Sequence, residues 1–213
     1  MATSNPLSKR EQRREREAAL RRSDILAAAA SAFAEKGFQG AQVAEIANEA
    51  ELPINAVYAH FKGKEELYEA VIHAAATTVR DHVRAEVEPL EDPGEKLLRV
   101  IDALFACFEE HGPLLRLYAR TTHGLPWRVR QALGPNTADL FLGFRAWLLK
   151  IATEAKDAGR LGSLDPEAVA LTLVGAVMTA AAQWAEHPAD ESLADAAPRI
   201  RAVFEALLTT ATT

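Results

Sequence analysis

The sequence predicts an all-α protein, with a small three-helix domain of helix-turn-helix type followed by a larger helical domain. Three observations carry this. Apolar residues recur at three- and four-residue spacing along nearly the whole chain, which is the helical period. The breaks between these runs are glycine and proline steps, among them Gly37, Pro53, Pro89, Gly112-Pro113 and Gly134-Pro135. No segment alternates with strand period, repeats itself or reads as a Gly/Ser linker.

Taken in order, Ser8-Lys9-Arg10-Glu11 fits a capping box, so a helix can begin there and run on into Ile25. Ile25, Leu26, Ala29, Ala30 and Phe33 then form one stripe that stops at Lys36-Gly37, where glycine can adopt the left-handed cap conformation. Val43, Ile46, Ala47 and Ala50 give a second, short helix, interrupted by Glu51-Leu52-Pro53. Val57, Tyr58 and Phe61 continue at helical spacing, while Ile54, Asn55 and Ala56 fall on the first turn and face away from that core. Two short helices joined by a tight turn result, and the DNA major groove accepts the first turn of such a second helix.

Beyond this, a long helix is expected over residues 65–87, ending at Pro89, and Asp92-Pro93-Gly94-Glu95 opens the next with a cap and a first-turn proline. That helix stops at Gly112-Pro113, and a shorter one follows to about residue 121, before Gly124-Leu125-Pro126. Residues 127–133 and 137–158 read as a helical pair split at Gly134-Pro135. Asp165-Pro166-Glu167 opens a helix reaching Trp184 and closed by His187-Pro188, and a last helix runs from 193 to about 208.

The run 37–67, GFQGAQVAEIANEAELPINAVYAHFKGKEEL, closely resembles the N-terminal domain of TetR-type transcriptional repressors. Phe33, Gly37, Phe38, Val43, Ile46, Ala47, Ala50, Val57, Tyr58, Phe61, Lys64, Glu65 and Leu67 match in register without gaps. The resemblance implies that the helix beginning near Ile54 enters the major groove. Gln42, Ile54, Asn55 and Ala56 become candidates for groove contact, and Tyr58, His60 and Lys64 for phosphate contact. Physics supports these roles separately. Tyrosine and histidine can donate to phosphate oxygens, Lys64 opens a helix, and an amide such as Asn55 can bond adenine bidentately. The chain departs from the family where Ala41 replaces a small hydroxyl residue, where Glu51 replaces glycine, and near Pro53 or Ala56, where a serine or threonine is usual. Losing the hydroxyl cap before Gln42 costs about 1 kcal/mol. Glu51 puts an acid near the groove-facing surface and, without glycine's freedom, a strained backbone.

Charge does not follow the simple rule for a polyanion binder. The chain has a formal net charge of −6, from 24 Lys plus Arg against 30 Asp plus Glu. Residues 23–68 hold three lysines against seven acids, a balance of −4. The preceding segment differs: Lys9, Arg10, Arg13, Arg14, Arg16, Arg21 and Arg22 face only Glu11, Glu15 and Glu17, a balance of +4. This arm, with Arg21 and Arg22 nearest the helix-turn-helix, is expected to supply phosphate attraction. The alternative is a solvated, partly disordered arm, and the two are compatible because such segments can order on DNA. The expected division is a basic arm over 1–22, the helix-turn-helix domain over 23–68, and an all-helical effector-binding and dimerisation domain over 69–213.

In that last domain the resemblance implies an effector pocket and a dimer interface. The pocket candidates are Phe105, Phe108, Leu117, Tyr118, Trp127, Phe141, Phe144 and Arg145, with Trp147, Arg116, Arg120 and His123 interspersed. A cavity lined by apolar groups and a few polar ones suits a small apolar or amphipathic effector, although each aromatic alone reads more readily as helical core. The interface candidates are Val174, Met178, Ile200, Val203, Phe204 and Leu207. Leu171, Val174, Gly175, Met178, Ala181 and Ala182 form a small-residue face opposite a larger apolar stripe on the last helix. The partners expected are a second copy of the chain as a homodimer and double-stranded DNA with a near-palindromic operator.

Other classes find little support. At 49% hydrophobic content the chain can bury one or two cores, and its single cysteine, Cys107, excludes an intramolecular disulfide. No secretory segment is evident, and the alanine-rich run over 169–182 is too short for a confident membrane span, so a soluble, cytoplasmic protein with no membrane partner is expected. The six histidines form no HExxH pair, Cys107 has no neighbour at metal-ligand spacing, and phosphate-binding glycine loops are missing, so neither an enzyme nor a cofactor or metal is expected. The function expected is a ligand-responsive DNA-binding transcriptional regulator, a dimeric repressor released from its operator by a small, mostly apolar molecule. The alternative is a helix-turn-helix protein that no longer binds DNA and acts through protein partners.

Overall fold

The computed structural model describes residues 8–113, 115–117, 135–186 and 192–210, and all regular structure among them is helical. The elements are α1 (Lys9–Gly40), α2 (Val43–Glu49), α3 (Ile54–His60), α4 (Lys64–Val87), α5 (Pro93–Glu110), α6 (Pro135–Asp157), α7 (Pro166–Glu186) and α8 (Leu193–Thr210). The expected helix over 127–133, the stretch 118–121 and the His187-Pro188 stop lie outside the described residues. The chain divides into two compact units, Met1–Val71 and Ile72–Thr213, with the division falling inside α4.

In the first unit, α1 starts where the capping signal lies. Ser8 Oγ accepts from the Glu11 amide at 3.3 Å, and the Glu11 carboxylate accepts from the Ser8 amide at 2.8 Å. The basic segment is thus the first half of one 32-residue helix rather than a loose arm. It is exposed up to Asp24 apart from half-buried Glu17 and Ala18, and an Arg13–Glu17 ion pair at i,i+4 spacing supports it. Burial begins at Ile25 and continues through Ala29 and Phe33. Gly37, at φ 68°, breaks the helical backbone where the sequence placed the stop. Around that break Phe33, Phe38 and Tyr68 stack edge to face, with centroids 5.0 and 5.1 Å from the Tyr68 ring, which pins the end of α1 to the start of α4.

The turn after α2 closes as a Schellman motif. The Leu52 amide bonds the Ala47 carbonyl at 2.9 Å and the Glu51 amide bonds Asn48 at 3.1 Å. That geometry needs a left-handed residue between them, and Glu51 occupies it at φ 55°, the one described residue other than glycine with positive φ. The strain of placing a Cβ there is about 1 kcal/mol. Glu51→Gly should therefore raise stability by up to about 1 kcal/mol, read as a higher midpoint in chemical denaturation; a lower midpoint would mean that the glutamate's own contacts outweigh the backbone strain.

In the second unit α5 packs against α6, α7 and α8, α6 packs on α7, and α7 on α8. Leu97, Val100, Ile101, Leu104, Phe105, Cys107 and Phe108 are the buried face of α5 that makes this possible. Asp92 caps α5 by accepting from the Glu95 amide at 2.9 Å and pairs with Arg160 beyond α6, and these bonds, the Glu95 amide first, hold its carboxyl below the usual range. Asp165 caps α7 in the same way, accepting from the Ala168 amide at 3.0 Å. Arg201 on α8 is ion-paired with Asp102 on α5, locking the last helix to the centre of the unit.

The α7 helix corrects one expectation. Its apolar run extends over Pro166–Ala185, 20 residues with mean hydropathy 1.6, long and apolar enough by length and composition to cross a membrane. In the fold it is a packed helix against α5, α6 and α8, but only 39% of that window is buried within the chain.

Candidate DNA-binding surface and effector cavity

On α3 the helical period separates two faces cleanly. Val57 and Phe61 are buried at 1% and 2% exposure, and they anchor the helix, which packs on α2. Ile54 and Tyr58 are 44% and 52% exposed, large apolar or aromatic groups left in water, and Asn55 between them is exposed. Ala56 is half-buried. The N-terminal turn therefore offers one amide and one aliphatic, which can bond or pack on base edges and sugars, and one turn on stands a phenol that can donate to a phosphate. Tyr58, which the sequence period grouped with the core residues, belongs to the outer face.

At the N-terminus of α2, Gln42 is exposed and is itself the cap residue, with no side-chain cap bond; its carbonyl takes the Glu45 and Ile46 amides at 3.1 Å. Ala41, where the family carries a hydroxyl, is buried at 1% and precedes the cap. The cost of the missing cap thus falls at Gln42, whose side chain stays available for another partner.

The cations are held in place by local contacts. The Lys64 ammonium bonds the Gln39 carbonyl at 3.1 Å and lies 4.8 Å from the Phe38 ring centre. This fixes it at the opening of α4 beside the end of α1. The Arg22 guanidinium lies over the Phe61 ring at 4.6 Å, so the last basic residue of the arm is seated against the end of α3. Arg21 is exposed, and His60 is half-buried with its ring 6.4 Å from Phe61. Nothing in the residue pattern couples Arg22 to Phe61, because an aromatic contact across helices leaves no trace in periodicity. Lys62, exposed two positions before Lys64, adds a cation that the resemblance did not single out.

A family model described as bacterial regulatory proteins, tetR family, matches residues 25–71, which span α1 from its first buried residue to the opening of α4. Over that segment the chain resembles the TetR family. Among curated relatives, the HTH-type transcriptional activator FasR of Mycolicibacterium smegmatis is 31% identical over 97 residues, 46% of this chain and 44% of that protein. The HTH-type transcriptional repressor KstR2 of Mycobacterium tuberculosis is 30% identical over 98 residues, 46% and 49% of the two chains. The match thus spans less than half the length of these curated relatives. Solved structures extend the likeness in fold. FadR from Bacillus subtilis, in complex with stearoyl-CoA, aligns with TM-score 0.71 at 20% identity over 87% of this chain and 98% of its own. The TetR-family regulator PfmR from Thermus thermophilus aligns with TM-score 0.67 at 25% identity over 87% and 97%.

The second unit holds a small apolar cavity of about 30 Å³, lined by Ala76, Val79 and Arg80 of α4, Leu104 of α5, Leu140, Phe141 and Phe144 of α6, and Val174 and Met178 of α7. Of the expected pocket residues, Phe141 and Phe144 line it. Phe105, Phe108 and Leu117 are buried at 3%, 0% and 5% and are not in that lining, where Leu104 stands for α5 instead. Tyr118 and Trp127 lie outside the described residues. Arg145 is paired with Glu167 of α7 at 2.8 Å and is not in that lining, where Arg80 is the cation among the described residues. Arg80 is itself bonded to Asp81 at 2.7 Å.

The expected interface set also divides. Met178 and Phe204 are buried at 6% and 2% within the single chain, and Met178 and Val174 face the cavity, so these groups serve the subunit's own interior. Ile200 and Leu207 are half-buried. Val203 on α8 is 56% exposed, and Leu171 on α7, which belongs to the small-residue face, is 58% exposed. Helical period alone could not tell which side of α7 the chain itself covers.

Proposed function

We propose that the protein is a dimeric, ligand-responsive transcriptional repressor that works in the cytoplasm on a near-palindromic double-stranded DNA operator. The observation that carries this reading is α3, buried on Val57 and Phe61 and bare on Ile54, Asn55 and Tyr58, at the end of a tight Schellman turn. Gln42 and the first turn of α3 meet base edges; Tyr58, His60, Lys64 and the arm residues Arg21 and Arg22 meet phosphates. A second copy places the second α3 one DNA turn away, so two modest half-site contacts act together.

The effector is a small apolar or amphipathic molecule, and the apolar lining with Arg80 at its edge supports an acyl chain carrying an anionic group. The FadR structure's stearoyl-CoA points the same way. A cavity of about 30 Å³ admits little more than a water. In the proposed bound state α4, α5, α6 and α7 part around the effector. Ala76, Val79 and Arg80 sit on the same helix that Lys64 opens, so displacement of α4 is the coupling between effector and DNA. Such coupling requires the effector to bind the DNA-incompetent state more tightly.

A second reading is favoured by the −4 balance of residues 23–68 and by Glu51 in the turn: a helix-turn-helix protein that has left DNA for protein partners. Selection of the purified protein on a random duplex library separates the two. The repressor reading expects enrichment of a near-palindrome whose half-site centres lie about 10 bp apart, and a library without enrichment would favour the protein-partner reading.

A further inference from the structure

His82 of α4 meets Cys107 of α5 and His111, the residue that ends it, in the second unit, with one ligand atom of each lying within 4.8 Å of the others. The Glu110 carboxylate is 3.9 Å from His82 Nδ1 and 4.0 Å from His111 Nε2. Cys107, Glu110 and His111 stand at i, i+3 and i+4, so one face of α5 presents all three, and the imidazole from α4 completes the group. Among the described residues, the side chains of His82, Cys107 and His111 form no hydrogen bond that would occupy them otherwise.

We propose that His82, Cys107, His111 and Glu110 bind a divalent transition-metal ion of the zinc class. Two imidazole nitrogens, a thiolate and a carboxylate are a four-coordinate donor set for a borderline ion, and hard ions such as calcium and magnesium, which take oxygen ligands, are poorly served by it. Metal-to-ligand bonds of about 2.0–2.3 Å put neighbouring donor atoms between about 3 and 4 Å apart. The side chains must close in by about an ångström, within reach of rotamer changes. Exposure rises across the group, from Cys107 at 0% to side-chain values of 24% for His82, 35% for His111 and 63% for Glu110. The sulfur is therefore the closed inner end and the carboxylate the side from which an ion enters. On binding, the thiol proton leaves to water as the sulfur–metal bond forms, and no electron is transferred. The ion joins α4 to α5.

The expectation that Cys107 has no partner at ligand spacing is corrected here. The Cys107/His111 pair at i,i+4 is a weak signal alone, and the imidazole that gives it meaning comes from another helix.

Cobalt(II) titration of the full chain, freed of metal by chelator and carrying no polyhistidine tag, tests the site. One equivalent should bind with a near-ultraviolet thiolate-to-cobalt charge-transfer band and the intense visible bands of four-coordinate cobalt, and zinc should displace it. C107S should lose the charge-transfer band. Because a serine at a fully buried position endangers the core, H82Q and E110Q provide independent arms on more exposed groups. H82Q should weaken cobalt binding by at least about 10-fold with the helical circular dichroism unchanged, and E110Q should alter the visible bands while keeping the sulfur band. Absence of a thiolate band, a pale six-coordinate spectrum, or an H82Q titration identical to wild type would overturn the proposal.

Discussion

A protein carrying Leu171→Glu and Val203→Glu should run as a monomer in size-exclusion chromatography with light scattering, and should bind operator DNA at least about 10²-fold more weakly than the parent. Both side chains are more than half exposed in the single chain, so the substitutions leave the subunit's own core intact. They lie on the helix pair α7 and α8, whose apolar surface the chain leaves largely uncovered: of the α7 window with mean hydropathy 1.6, only 39% is buried. An uncovered apolar surface of this kind suits a partner face, and the double variant tests whether it is one. Carboxylates buried in it without partners cost several kcal/mol in total, enough to dissociate a dimer at working concentrations. Loss of the dimer removes the linkage between two half-site contacts, which is where the drop in DNA affinity comes from. If the double variant stays dimeric, the interface lies on another face.

The second large effect concerns the α3 surface. Lys64→Ala should weaken binding to every duplex, specific or random, by about tenfold and reduce the slope of log affinity against log salt by about 1 per protomer, because it removes one phosphate cation. Its ammonium is held between the Gln39 carbonyl and the Phe38 ring, so its placement needs little further ordering on DNA. His60→Ala should act in the same sense. Asn55→Ala should behave differently, leaving random-duplex affinity nearly unchanged and costing about 1–3 kcal/mol at one base position of the operator. Equal losses on operator and random DNA for Asn55→Ala would remove its base-reading role.

Much of the first unit was legible because its signals are local. The Ser8/Glu11 capping box, the Gly37 stop and the Val57/Phe61 anchor each involve residues within one or two turns, and the backbone places them as the sequence implies. Glu51 was legible too, since only a left-handed residue closes that turn. The second unit was legible as helices but not as sites. Spacing identifies the apolar face of α5, yet it cannot say that Leu104 borders the cavity while Phe105 and Phe108 are sealed in the core. Nor does it show that Met178 turns inward while Leu171 on the same helix stays bare, or that Glu167 takes up the charge of Arg145. These outcomes depend on which helices become neighbours, and contacts between distant segments leave no periodic imprint.

Whether α3 reads a specific DNA sequence is decided by fluorescence-anisotropy titration of a labelled duplex from immediately upstream of the coding sequence, beside a scrambled duplex, at several salt concentrations. A sequence-reading α3 should give tight, salt-sensitive binding to the upstream duplex, with the scrambled duplex weaker by about 10³-fold or more. Equal, weak binding to both would contradict it.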